Sequence, residues 1–339
     1  MLVSIVIPVY NVSAYVERCI KSVMSQTYSD IECIIVNDAT QDDSIVKCEQ
    51  MIAEYDDSFR FSILHHKQNR GLSAARNSGT ELARGEYIYY LDSDDEITDD
   101  CIEKLVAPML KDDSIEMVTA EYKTYYSIKS RFWGKDLVKT SHYFKSSSNI
   151  LHTKEEVRDW YYHKKGQRPD QGWNKLLRLS FIKENHLYFR EGLIYEDLLW
   201  SHYLFSCLSH VVFVPSITYI HYNRSGSIMT QTRYDEYLLH HGNIFKEVAE
   251  HLQDTNCIEK ILRWIPDFCK CYIDSSDNPD YQYAYGVFRK QLSDKHHRLT
   301  AWKLTMVDSL SKNRLGRLLY RKEMWIKQQI QRTFNVLFS

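Results

Sequence analysis

Apolar residues along the first hundred positions follow two alternating rhythms. Val3-Ser4-Ile5-Val6-Ile7-Pro8-Val9 is a nearly continuous apolar run, the mark of a strand buried on both faces. Val12, Tyr15, Val16, Cys19, Ile20, Val23 and Met24 then recur at helical spacing. The alternation repeats with a strand over Ile31–Val36, a helix marked by Ile45, Cys48, Ile52 and Tyr55, and a strand over Phe59–Leu64. A helix over Leu72–Ala83 closed by Gly85, a strand over Glu86–Leu91 and a helix over Thr98–Leu110 complete the series. Strands alternating with helices of this length predict an α/β fold with a parallel sheet and right-handed crossovers. Further along, the pattern predicts a strand at Ile115–Glu121, a loop at Ser146–Asn149, and a helix opening at Gln171–Lys175 and running to Glu184. A helical start after Tyr195, a strand over Val211–Ile220 and helices beyond residue 230 follow.

In an open parallel sheet, ligands bind at the carboxyl ends of the strands. Those positions hold Tyr10 and Asn11, then Asn37-Asp38-Ala39-Thr40, then Asn69-Arg70-Gly71, then Asp92-Ser93-Asp94-Asp95. Three carboxylates at the tip of a buried strand are costly unless a cation sits among them. Oxygen-only ligands with no His or Cys nearby in the sequence suit a hard divalent ion, Mg²⁺ or Mn²⁺, that shares its sphere with water and phosphate. The same residues also fit a solvated turn capping the next helix. Asp38 admits the same two readings, a ligand contact or an Asx-turn. No glycine-rich phosphate loop of the dinucleotide or P-loop kind occurs.

Composition narrows the classes. At 339 residues the chain has room for two units, and its net charge of −2 supplies no broad basic field for nucleic acid. The 25 tyrosines suit sugar or nucleotide surfaces and packed cores alike. Eight scattered cysteines fit reduced thiols, with Cys269 and Cys271 taken up in packing rather than a zinc site. No basic-then-apolar leader and no apolar run of about 20 residues appears. The expectation is a cytoplasmic protein, peripheral at the inner face of a membrane if its tail binds lipid.

The ordered set S-I-V-I-P-V-Y-N, I-I-V-N-D-A-T-Q-D-D-S, N-R-G-L-S-A-A-R-N-S-G and G-E-Y-I-Y-Y-L-D-S-D-D resembles glycosyltransferase family 2. That resemblance implies a GT-A fold and an inverting, nucleotide-sugar-dependent transferase. It implies a mainly parallel sheet with a Rossmann-like nucleotide-binding half over 1–110 and an acceptor half over 111–230. A helical extension over 231–339 would follow. Tyr10 matches the ring that packs on the base, Asp38 the carboxylate that bonds the base, and Arg76 a donor-side helix position. Asp92 and Asp94 match the D-x-D pair, near the ribose and on the metal. The family usually has Gly-Ser after the base-binding Asp; Ala39-Thr40 here predicts strain at Ala39 if that turn needs φ > 0.

Later residues carry further roles on the same terms. Trp173 is either an acceptor-binding platform or a core residue. Glu196-Asp197 caps a helix on its charges alone; the family assigns the Asp of this pair as catalytic base, with Glu196 orienting the acceptor or the loop. His221-Tyr222-Asn223-Arg224-Ser225-Gly226-Ser227-Ile228 resembles the loop over the donor diphosphate, with His221 a metal ligand, a phosphate contact or a structural histidine, and Arg224 a phosphate contact. Lys312, Arg314, Arg317, Arg321, Lys322, Lys327 and Arg332 face only Glu323 in the tail, beside an apolar helical stripe. Such a helix over 312–338 either lies on an anionic membrane surface or packs on protein. The implied partners are a UDP-sugar or other nucleotide-diphosphate sugar and a glycan or lipid-linked saccharide acceptor. The alternatives are a nucleotidyltransferase, which normally has a glycine-rich loop, and a non-catalytic nucleotide- or glycan-binding module.

Overall fold

The computed structural model describes residues 1–57, 60–129, 136–141, 149–163, 168–224, 232–255, 258–292, 298–312, 317–318 and 320. The expected loop at Ser146–Asn149 lies outside them except for Asn149, and Ser225–Ile228 lies wholly outside. Of the basic tail, Lys312 and Arg317 are the described cations. The chain divides into two compact units, Met1–Thr232 and Arg233–Ser339.

The first unit is built on one sheet. Strands β1 (Val3–Val9), β2 (Ile31–Asn37), β3 (Phe61–His65) and β4 (Tyr87–Tyr90) pair in parallel in the order β3-β2-β1-β4. Helices α1 (Val16–Met24), α2 (Ser44–Ala53) and α3 (Leu72–Leu82) make the crossovers between them. All seven residues of β1 are buried, which is why its apolar run hardly alternates. Helix α3 lies close on β1: a Cβ on Gly79 would fall 2.3 Å from Val6 Cγ1. The short strand β5 (Glu96–Ile97), absent from the sequence reading, follows the acidic turn, and α4 (Cys101–Met109) comes after it.

Beyond α4 the sheet becomes mixed. It continues β4-β9-β6-β10-β5, with β6 (Met117–Lys129) and β10 (Val211–Asn223) parallel to each other. Strands β7 (Asp136–Thr140) and β8 (Ile150–Leu151) pair at its margins, and α5 (Lys154–His163) follows them. The helix expected to open at Gln171–Lys175 is instead strand β9 (Lys175–Arg178), antiparallel to both β4 and β6, and only then helix α6 (Leu179–Glu184). Asn174 causes the change: its left-handed backbone (φ 57°) cannot sit in a helix. Its buried side chain bonds Ala120 O at 2.8 Å, Thr218 Oγ1 at 3.0 Å and Tyr89 Oη at 3.2 Å. Helix α7 (Glu196–Cys207) completes this part before β10.

The second unit is helical, as expected, with α8 (Tyr234–Thr255), α9 (Ile258–Ser275), α10 (Pro279–Gln291) and α11 (Arg298–Ser311). Phe245, Phe268, Tyr281 and Phe288 are fully buried at its centre, with Cys269 and Cys271 buried beside them. Asn278 caps α10, accepting from Asp280 N at 2.9 Å, with Pro279 at the first helical position.

Candidate active site

The turns after β1 and β2 are held by side chains standing in for ladder bonds. Tyr10 is 42% exposed at the end of β1. Asn11 N donates to Thr40 Oγ1 at 2.8 Å, and Thr40 N to Asn37 Oδ1 at 2.9 Å. Ala39 has φ 55°, the left-handed conformation anticipated where the family has Gly. Asp38 is nearly buried, and its carboxylate accepts from Arg70 N (2.8 Å), Gly71 N (2.7 Å) and His66 Nδ1 (2.7 Å). His66 Nε2 in turn lies 2.9 Å from Ser78 Oγ. Asp38 therefore anchors the turn that opens α3, where the helix dipole favours its charge.

One and a half turns along the same helix, Arg76 is 2% exposed and does not lie on the helix surface. Its Nη2 donates to Asp92 Oδ1 at 2.6 Å and its Nη1 to Glu196 Oε1 at 2.7 Å. The D-x-D turn after β4 and the acidic pair at the start of α7 are thus joined through one guanidinium, although 104 positions separate Asp92 from Glu196. Burial alone would lower the pKa of Arg76, but Asp92 and Glu196 raise it above the ordinary arginine value. The guanidinium lies 4.9 Å from the Phe189 ring, and a Cβ on Gly172 would come within 3.1 Å of Nη1. Close approach to Arg76 is what glycine provides at that position.

The three carboxylates of the turn have separate environments. Asp94 accepts from Arg224 Nε at 2.7 Å, and its main-chain oxygen from Arg18 Nη2. Arg224 also lies over the Tyr15 ring at 4.7 Å. Asp95 points inward to Tyr219 Oη (2.7 Å) and Tyr222 N (2.8 Å), clipping the turn to β10. Burial, then Asp94 and Asp92, push its pKa well up. Asp92 and Asp94 are each about one-fifth exposed, and each has one carboxylate oxygen free of hydrogen bonds among the described residues. His221 sits near them, with Nδ1 3.3 Å from Thr124 Oγ1; burial lowers its pKa while Asp92 and Asp94 oppose that.

At the start of α7, burial raises the pKa of Glu196 and the Arg76 charge restrains it. Asp197 keeps part of its surface exposed, yet burial and then the Glu196 charge push its pKa up to about 7. Trp173 does not offer an open platform, and of its two readings the packing favours core. It is 8% exposed, stacked on Tyr219 at 4.2 Å and on His221 at 5.4 Å, with the Tyr122 ring edge-on at 4.8 Å. Its ring is packed as core.

Comparison with known proteins fits this geometry. Residues 4–176 match the model described as glycosyl transferase family 2. EpsH of Bacillus subtilis is 32% identical over 78% of this chain and 73% of its own length. The glycosyltransferase GlyG of Streptococcus pneumoniae is 29% identical over 69% and 74%. The chain belongs to glycosyltransferase family 2. The structure of S. aureus TarS 1–349 in complex with UDP-GlcNAc superposes with a TM-score of 0.65, at 18% identity over 92% of each chain, and shares the fold. That fold is GT-A.

For a family 2 member, the acidic turn fits a hard cation in part. Among the described residues no three His, Cys, Asp or Glu side chains form a ready cage. Two carboxylates with one free oxygen each suit an ion that completes its shell from water and diphosphate. Other residues of this family 2 site escaped the sequence reading. Lys175 is fully buried on β9, donating to Gln171 O and Trp173 O, and burial pushes its pKa down to about 7. His66 stands at a strand tip, where its position was a usable signal; Lys175 and Phe189 had none, because an apolar strand and an irregular segment conceal them.

Proposed function

We propose that this family 2 glycosyltransferase moves a sugar from a nucleotide-diphosphate donor, a UDP-sugar first, to an acceptor hydroxyl with inversion at the anomeric carbon. The observation that carries the reading is Arg76 joining Asp92 to Glu196, because it brings the D-x-D turn within one guanidinium of the acidic pair. Tyr10 packs on the base, Asp38 bonds it or fixes the turn that does, and Asp92 meets the ribose. Asp94, with Asp92 and His221, would hold Mn²⁺ or Mg²⁺, and Arg224 would exchange Asp94 for phosphate oxygens. A bound divalent ion would neutralise charge on the departing diphosphate. TarS in complex with UDP-GlcNAc and a Pyrobaculum calidifontis mannosyltransferase in complex with GDP-Man and Mn²⁺ support this choice of donor class and metal.

Asp197 takes the proton of the acceptor hydroxyl as that oxygen bonds the anomeric carbon from the face opposite the diphosphate. The glycosidic C–O bond to phosphate breaks, and the diphosphate leaves with its electron pair. Positioned proton transfer of this kind contributes roughly 10²–10⁴ in rate. Glu196, tied to Arg76, orients the turn. The acceptor in this reading is a glycan or lipid-linked saccharide, and the charge pattern of 312–338 favours contact with an anionic membrane surface.

The test is release of UDP from a panel of nucleotide sugars, with and without Mn²⁺. Turnover should require the metal, and Asp94→Ala should lose Mn²⁺-dependent UDP binding while remaining folded. UDP affinity unchanged in Asp94→Ala would remove the metal assignment. Pyrophosphate in place of UDP among the products would indicate nucleotidyl transfer, and binding with no release at all would indicate a binding module.

A further inference from the structure

The segment joining α6 to α7 has no regular structure, yet it delivers Glu196 and Asp197 to a defined place. Its backbone is left-handed at His186, Gly192 and Tyr195, with φ of 52°, 75° and 67°. Tyr195 immediately precedes Glu196. A segment without a ladder of its own needs partners for its buried main-chain groups.

Asn77, beside Arg76 on α3, supplies them. Its Nδ2 donates to Phe189 O at 2.8 Å and its Oδ1 accepts from Phe189 N at 2.8 Å. One carboxamide therefore bonds both main-chain groups of a residue that is 2% exposed, as a neighbouring strand would. The Phe189 ring so fixed stands between two parts of the site. It lies under the Arg76 guanidinium at 4.9 Å and stacks on Trp200 at 4.5 Å, with planes 14° apart. Trp200 belongs to the first turns of α7, three residues after Asp197, and its Nε1 donates to Leu187 O at 2.9 Å. Arg76 holds Glu196 from the other side.

We propose that Asn77 is a positioning residue for sugar transfer, setting the Glu196–Asp197 turn against Arg76 and Asp92 by clamping the Phe189 backbone. This rests on the transfer reading above. Asn77 itself bonds neither carboxylate of the pair. Its effect passes through Phe189 and Trp200 to the start of α7, while Asp92 still holds Arg76, so it acts on the geometry of the chemical step rather than on the nucleotide turn.

The test uses the full chain as wild type, Asn77→Ala and Asn77→Asp. The donor is the nucleotide sugar that gives the fastest Mn²⁺-dependent UDP release into water. UDP affinity with Mn²⁺, rate at saturating donor and melting temperature are read for each. Asn77→Ala should keep UDP affinity and lose roughly 10- to 100-fold in saturated rate, the scale expected of a small misplacement of reacting groups. Asn77→Asp, which keeps the acceptor for Phe189 N but sets a carboxylate oxygen against Phe189 O, should lose at least as much. A wild-type rate per folded molecule in Asn77→Ala overturns the proposal. So does a parallel loss of UDP affinity and rate, or failure of both variants to fold, since each makes Asn77 a general stability residue. If wild-type protein releases no UDP from any donor, the transfer reading itself fails and takes this inference with it; an active wild type beside an unaffected Asn77→Ala removes the inference alone.

Discussion

A carboxylate whose pKa is lifted to about 7 accepts a proton only above that pH. The rate of UDP release should therefore fall as pH drops below about 7, by close to tenfold per unit, and level off above it. Asp197→Asn should keep UDP binding and lose this limb together with turnover; full turnover in that variant would exclude Asp197 as base. The same shift has a sign for stability. The folded-state pKa lies above the ordinary value of 3.8, so the folded chain retains a proton that the unfolded chain has released. Stability contributed at this site is present below pH 4 and lost as pH rises towards 7. Melting curves of wild type and Asp197→Asn should diverge across that window. Ala39 gives a second residue-scale expectation. Its φ of 55° costs an alanine about 1–2 kcal/mol that glycine avoids, less the extra chain entropy glycine loses. Ala39→Gly should stabilise by about 0.5–1 kcal/mol in urea unfolding.

At the scale of elements, α3 is the spine of the site. Asp38 binds its first turn, Arg76 its middle, and Asn77 reaches from it to the segment before α7. Replacing Arg76 by Met would leave Asp92 and Glu196 without their shared cation, Glu196 almost wholly buried. Breaking a buried pair by removing one partner costs roughly 3–5 kcal/mol. Arg76→Met should show a loss of that order in urea unfolding, together with loss of UDP release; a cost below about 1 kcal/mol, the scale of an exposed pair, would show the cluster to be solvated. Much of this framework was legible in the sequence, because β1 to β4 are short apolar runs and the helices between them carry the helical period. The strand-tip residues followed from the parallel order. Arg76 was legible as a site position but not as a buried bridge, since its second partner lies far along the chain and no local pattern encodes that contact. Strand β9 was not legible, because Leu176-Leu177 is as apolar as a helix start and only pairing with β4 and β6 decides it. Trp173 reads equally as platform or core in the sequence, and its stacking on Tyr219, far along the chain, favours core.

At the scale of the whole chain, the described site belongs to one unit. Tyr10, Asp38, Arg76, the acidic turn, Asp197, His221 and Arg224 all lie within Met1–Thr232. Both apolar clusters that flank the sheet are drawn from residues between Val3 and Tyr219. A chain of this length buries roughly 70% of the surface it exposes when unfolded, enough for a single core to fold alone. The fragment 1–232 should therefore unfold cooperatively in urea, keep a mixed α/β circular dichroism spectrum, and bind UDP with Mn²⁺ as the full chain does. A fragment that binds UDP but no longer transfers sugar would assign Arg233–Ser339 to the acceptor side of the reaction. A fragment that loses cooperative unfolding would instead make the helical unit part of the folding unit of the sheet, and the division at Thr232 would then be one of shape and not of stability.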